Sequence, residues 1–261
     1  MKLLFIGDIV GKPGRKIIDN LLGLVIDKFQ IDVVVANAEN AAGGMGITPS
    51  IAEELFSRGI DIITSGNHIW RKKDIIPFLE ARDDILRPAN YPGDAPGKGM
   101  TTMNTRGGPS LCVINLEGRT FMRSLECPFN TAEFLLDQVR EKTNLIVVDF
   151  HAESTSEKVA LGWFLDGRVS AVVGTHTHVQ TADEKILPGG TAYITDAGMT
   201  GPMDSVIGIE KEIIIKKFLT QRPISFKVAK KNLYMQGVVI DIDESTGKCM
   251  SIQRVNEPFV Q

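Results

Sequence analysis

The sequence predicts an α/β fold, and three observations carry that prediction. Short runs of β-branched and other apolar residues alternate with longer segments whose apolar positions recur at helical period. Two of the longer segments open with proline, at Pro13 and at Thr48-Pro49, where a helix loses nothing by lacking an N–H. Several of the short runs end in polar clusters, and in α/β sheets the carboxyl ends of strands are where loops converge to form sites.

Taken in order, the first strand is expected from Leu3 to Gly7, ending at Asp8. A helix entered through Pro13 then carries Ile17, Ile18, Leu21, Leu22, Val25 and Phe29 on one face, up to Gln30. Val33 to Asn37 reads as the second strand, and Thr48 caps a second helix whose buried stripe is Ile51, Ala52, Leu55 and Phe56. Further strands are expected at Ile60 to Thr64, Leu111 to Leu116, Leu145 to Phe150, Ala171 to Gly174, Thr191 to Asp196 and Gly237 to Ile242, with helices between most of them. Between Arg87 and Pro109 the crowding of Gly, Pro, Asn and Thr predicts a long excursion or irregular hairpin that could overhang a site. After Asp196 the pattern changes to a helix near Ile209 to Leu219, then two strands joined by the turn-rich Asp243-Glu244-Ser245-Thr246-Gly247. That change predicts a second sheet, antiparallel in part. No repeat or linker divides the chain, so residues 1–261 are expected to form one domain.

Bulk properties narrow the function. A formal charge of -3 supplies no excess of cations for tracking a polyanion, which argues against extended nucleic-acid binding as the main activity. The cysteines, Cys112, Cys127 and Cys249, are odd in number and lack C-x-x-C spacing, so neither a disulfide framework nor a thiolate zinc site is expected. The apolar run before Asp8 is too short for a signal peptide or a spanning helix, and a cytoplasmic protein with no membrane association is expected.

The chemistry sits at the strand ends. Asp8 follows the first run, Glu39 and Asn40 the second, and Asn67 and His68 follow Ile62-Ile63-Thr64-Ser65-Gly66. His151 follows Val147-Val148-Asp149-Phe150, while His176 and His178 follow Val172-Val173-Gly174. Singly, each has a plain explanation as a cap, a turn residue or a hydrogen-bonded core histidine. Jointly, nitrogen and oxygen donors at five strand ends point to a metal site assembled from loops, and alternate residues of the His-x-His pair can face one centre.

Together, Gly7-Asp8, Gly66-Asn67-His68, a separate His151 and Gly174-Thr175-His176-Thr177-His178 resemble the blocks of the calcineurin-like metallophosphoesterases, in matching order across the first three quarters of the chain. Two departures stand out: Val10 occupies a position where that superfamily usually has a histidine, and Ala38-Glu39-Asn40 replaces the usual aspartate block. With Gly7-Asp8-Ile9-Val10-Gly11-Lys12-Pro13-Gly14-Arg15 and Asp149-Phe150-His151-Ala152-Glu153, these departures resemble one branch, the YmdB-like phosphodiesterases.

The resemblance implies an α/β/β/α sandwich of two mixed β-sheets flanked by helices. It implies two divalent or mixed-valent metal ions, iron favoured, with manganese or zinc as alternatives. Glu39 would bridge them; Asp8, Asn40 and His178 would complete one set of ligands, and Asn67, His151 and His176 the other, with Asn40 replacing the donor missing at Val10. His68 would stay free for proton transfer as a general acid. The implied reaction is hydrolysis of a small phosphodiester, a 2',3'-cyclic nucleotide ahead of a 3',5'-cyclic one, by a hydroxide bridging the two ions. A homo-oligomer is a family-level expectation.

Three competing readings remain: a phosphomonoesterase or a nuclease on the same metal core, and a regulatory or scaffolding metal protein with little turnover. A dinucleotide-binding reading of Gly7 to Gly14 fails, because the G-x-G-x-x-G spacing is absent and Asp8 stands where pyrophosphate would approach. Weaker signals are Arg15 and the Gly43-Gly44-Met45-Gly46 loop as phosphate contacts, and Asp149, Glu153 and Asp196 as partners of the histidines.

Overall fold

Strand alternation decides which side of each strand meets which layer. The computed structural model describes residues 1–105 and 108–260, so Arg106 and Gly107 of the predicted excursion and the terminal Gln261 lie outside the described residues. In the first strand, β1 (Lys2–Ile6), Leu3 and Phe5 point into one core while Leu4 and Ile6 point into another. β3 (Val33–Asn37) repeats the pattern, with Val33 and Val35 on one side and Val34 and Ala36 on the other. These strands are therefore apolar on both faces, as interior strands must be.

The described residues form a seven-stranded sheet. It contains β1, the short β2 (Asp8–Ile9), β3, β4 (Ile62–Thr64) and three late strands. The other sheet has six strands: β5 (Met100–Asn104), β6 (Ser110–Glu117), β7 (Leu145–His151), β8 (Ala171–Thr175), β9 (Lys185–Ile186) and β10 (Ala192–Ile194). The late strands β11 (Met199–Pro202), β12 (Leu233–Ile242) and β13 (Cys249–Pro258) correct the expectation of a separate sheet after Asp196. β12 runs antiparallel to β1, pairing Leu3 with Ile240 and Phe5 with Val238, so the end of the chain closes onto its beginning. Pattern within a segment cannot report a pairing between residues so far apart.

Helices α1 (Gly11–Phe29), α2 (Pro49–Ser57) and α3 (Ile75–Ala81) cover the outer face of the first sheet, where Ile17, Leu22, Ala52, Leu55 and Leu79 meet Leu4, Ile6, Val34 and Ile63. Helices α4 (Pro128–Val139) and α5 (Thr155–Leu165) cover the other sheet through Ala132, Leu136, Leu161 and Leu165. The result is the expected α/β/β/α sandwich. α1 starts two residues earlier than Pro13 requires, and Pro13 sits in its first turn. Thr48 caps α2 as expected, its hydroxyl accepting from the Ile51 amide at 3.4 Å. The Arg87 to Pro109 excursion contains β5, which pairs antiparallel with β6, and none of its described residues lines the cleft over the site. Among the described residues no helix is long and apolar enough to cross a membrane.

β1, β3 and β4 run parallel in one sheet, and β6, β7, β8 and β10 run parallel in the other. Close backbone approach holds the exit of β8: a Cβ on Gly174 would lie 1.8 Å from the Thr195 carbonyl oxygen. Gly174→Ala is therefore expected to cost about 3 kcal/mol, the upper end of ordinary overpacking. Urea unfolding measures it, and a loss below about 1 kcal/mol would show that the two segments can separate.

Candidate metal centre

Because the parallel strands of both sheets end near one edge, each loop delivers its polar residues to the same place. Asp8, Glu39, Asn40, Asn67 and His68 come from the first sheet, and His151, His176 and His178 from the second. These eight residues, the ones expected to bind metal or to transfer a proton, come together. Asp8, Glu39, Asn40 and His151 are buried, and His68 is partly so.

Two groups of donors meet at Glu39. On one side the Asn40 amide nitrogen lies 3.5 Å from Asp8 Oδ1 and 3.1 Å from His178 Nε2, and His178 Nε2 lies 3.6 Å from Asp8 Oδ1. On the other, His151 Nε2 lies 3.0 Å from both Asn67 Oδ1 and His176 Nδ1. Glu39 Oε1 reaches both groups, 3.1 Å from Asn40 Nδ2 and 3.3 Å from His151 Nε2. Its other oxygen accepts from the His68 amide at 2.8 Å. Ligand atoms of Glu39, His151 and His176 all lie within 4.8 Å of one another, a group able to hold a metal ion.

Hydrogen bonds behind the centre decide which ring nitrogens face it. The Thr175 hydroxyl donates to Asp149 Oδ1 at 2.7 Å, so it must accept from His151 Nδ1 at 2.9 Å, turning His151 Nε2 toward the donors. Asn37 donates to the other Asp149 oxygen at 3.0 Å and completes that support. His178 Nδ1 donates to the Ile207 carbonyl at 3.0 Å, which again turns Nε2 inward. Ile207 makes that bond with φ at 45°, a left-handed conformation that costs a β-branched residue about 1–3 kcal/mol. His176 and His178 also have positive φ, at 98° and 63°. Thr177 between them is clamped through its amide and hydroxyl to Asp196 Oδ2, at 3.0 and 2.7 Å, and the buried Lys158 holds the same oxygen at 2.7 Å.

Asp149, Glu153 and Asp196 thus all touch the histidine loops, Glu153 through His176 Nε2 at 3.1 Å. Arg15 is occupied elsewhere, bonded to Glu54 and to the Ala41 carbonyl. Asn37, Thr175 and Ile207 were not legible as site residues, because their part is to aim other side chains and no spacing marks that work.

The electrostatics are those of a cation site. Burial raises the Glu39 carboxyl, but His151 and His68 beside it bring it well below the usual carboxylate range. Asp8 is raised by burial and lowered further by His178, and ends below its ordinary value. Burial works against a charge on His151, yet Glu39, Asp8 and Asp149 raise it to about 9, while burial and the His151 charge push His176 down to about 3. Carboxylates and ring nitrogens crowd together here, and the Asn40 amide nitrogen faces Asp8, Glu39 and His178. A half-turn of that side chain would present its oxygen instead.

Fold and centre together define a metallophosphoesterase-type protein, with a mixed imidazole, carboxylate and amide donor set between two sheets. The chain belongs to the YmdB-like protein family, whose profile matches residues 4–255. It is 51% identical over 255 residues to a 2',3'-cyclic-nucleotide 2'-phosphodiesterase of Bacillus subtilis, a match covering 98% of this chain and 96% of the relative. A Thermus thermophilus protein described as hypothetical has a crystal structure that matches with a TM-score of 0.93 at 40% identity, over 99% of both chains. A structure from Mycoplasma pneumoniae described as a novel phosphatase matches with the same TM-score at 35% identity, over 99% of this chain and 93% of that one.

Glu117, beside His151 in the strand register, is fully buried, with the Tyr91 hydroxyl as the side-chain group facing its carboxyl. Burial raises it from 4.5 to about 7, although His151 pulls the other way. The folded chain therefore holds this proton where the unfolded chain has lost it, and stability falls as pH climbs from about 4.5 through about 7. Glu117→Gln should flatten that fall and stabilise the protein at pH 8 by about 1–3 kcal/mol, the order of the linkage free energy lost across that window. Urea titrations of both proteins at pH 5 and pH 8 test this, and parallel pH profiles would count against it.

Proposed function

We propose that this chain is a metal-dependent phosphodiesterase acting on cyclic nucleotides, 2',3'-cyclic ahead of 3',5'-cyclic ones. The observation that carries the reading is the meeting of two donor groups at one buried carboxylate, Glu39, with an imidazole, His68, standing beside them in the cleft. The Bacillus subtilis relative's described activity supports the choice of a cyclic diester.

Asp8, Asn40 and His178 would hold one ion, Asn67, His151 and His176 a second, and Glu39 both, with Asn40 turned to offer its oxygen. A donor set of imidazoles, carboxylates and amides without thiolate suits iron, manganese or zinc, and the family resemblance favours iron. Such an ion pair supplies Lewis-acid polarisation of the phosphoryl oxygens and an activated water. The chain's own residues do the rest. Glu39 and Asp8, ionised across the neutral range, keep the centre competent for cations. His68 lines the cleft with Nδ1 3.1 Å from Glu39 Oε1, a contact that a half-turn of Asn40 leaves in place, and its Nε2 has no hydrogen-bond partner among the described residues. In this reading it gives a proton to the leaving alkoxide. The three cysteines are unpaired, in keeping with a cytoplasmic enzyme.

Anaerobic purification with elemental analysis, followed by matched cyclic, linear diester and monoester substrates, tests the reading. Two metals per chain and a preference for cyclic diesters are expected, whereas a monoester preference would move the protein to the phosphomonoesterases. His68→Ala should keep its metal content and lose about 10² to 10⁴ in turnover; full turnover would remove the proton-donor role. Glu39→Gln should lose metal on dialysis, and a variant that keeps both ions and its activity would exclude the bridge.

A further inference from the structure

The cleft that opens on the donors is about 260 Å³, and one of its walls has no part in the chemistry proposed above. Met45, Ile207, Ile209 and Phe226 build it. Three of these are large apolar side chains left in water, Met45 at 38%, Ile207 at 52% and Phe226 at 39% exposure. They adjoin a centre that is almost wholly polar, and large apolar side chains gathered at one wall of a cleft mark a place where something apolar binds.

The wall is held rigidly. Residues 207–210 and 227–229 bond to each other through Glu210 N to Lys227 O and Ala229 N to Gly208 O, both at 2.9 Å. Val228 packs against the loops that carry Asp8 and Asn40: a Cβ on Gly11 or Gly44 would meet its methyls at 3.3 or 3.0 Å. This contact accounts for Gly44, in the loop that carries Met45 into the cleft. Ile207 gives its carbonyl to His178, so the wall and a proposed ligand share one residue. Lys217 Nζ lies over the Phe226 ring, 4.7 Å from its centroid, and biases the ring's charge.

We propose that this wall is the nucleobase subsite, with Phe226 as the ring on which the base stacks and Met45 and Ile207 as its flanks. The proposal rests on the cyclic-nucleotide reading. A cyclic phosphate fixed at the donors carries its ribose directly, and the base lies one ring further out, so a flat apolar solute must leave the centre along a wall of the cleft. The wall offers no side-chain donor or acceptor to read a base edge. It therefore predicts selection by stacking strength, purines ahead of pyrimidines, with little discrimination between adenine and guanine.

The test uses the metal-loaded enzyme and the ratio of kcat/KM for 2',3'-cyclic AMP to that for glycerol 1,2-cyclic phosphate, which has the same reacting ring and no base. Phe226→Ala should lower this ratio about 5- to 100-fold, mostly through KM, the range typical of removing an aromatic ring from under a base. Phe226→Trp should restore it and Phe226→Leu should fall between. A ratio unchanged in both Phe226→Ala and Ile207→Ala overturns the subsite, because loss on both substrates alike reports damage to the centre. Wild-type enzyme that hydrolyses neither cyclic ester defeats the reaction assignment itself, and the subsite with it.

Discussion

The apolar seam between the two sheets is the contact on which the rest depends. Leu3, Phe5, Val33 and Val35 on one side meet Val113, Val147, Ala171 and Val173 on the other, all essentially without solvent exposure. Side chains alternate across each strand, so a one-residue slip of either sheet would exchange the residues that meet in this seam for those that meet the outer helices. The register that keeps the seam dry also brings the exits of β1, β3 and β4 opposite those of β7 and β8. Neither sheet alone holds more than part of the donor set. Burial in the core and the assembly of the centre are the same event, and the centre inherits its precision from close packing rather than from its loops.

Much of this was legible in the residues. β-branched runs marked the interior strands because strands buried on both faces must be apolar throughout, and the histidine, asparagine and acid clusters marked their exits. β12 and β13 were visible as strands, but the pairing of β12 with β1 was not, since pairing across more than two hundred residues leaves no local trace; the short β11, Met-Thr-Gly-Pro, carried no strand pattern. β5 was hidden because its Met-Thr-Thr-Met-Asn stretch has little apolar alternation and lies at the edge of its sheet. At the centre, residues that offer a lone pair could be found by type and spacing, whereas those that aim them could not. Thr175 works by pointing one proton at Asp149, and Ile207 works through its carbonyl, which every residue has.

The His-x-His loop is held under backbone strain. Three non-glycine residues around the His-x-His loop have positive φ: His176, His178 and Ile207. The compensation is local and buried: Asp196 takes the Thr177 amide and hydroxyl together with Lys158, and accepts from the Gly198 amide at 2.9 Å. An ion pair of this kind gives little net stability over well-packed apolar groups, so its value here lies in geometry, as it fixes a loop that the backbone would otherwise relax. Specificity of position, rather than stability, accounts for a lysine sealed in the core.

The Asn40 carboxamide joins two jobs in one side chain. Its nitrogen lies 3.1 Å from both Glu39 Oε1 and His178 Nε2, and its oxygen lies 2.7 Å from His68 Nδ1. A substitution there therefore disturbs the donor group and the cleft imidazole together, and no change at that position separates one from the other.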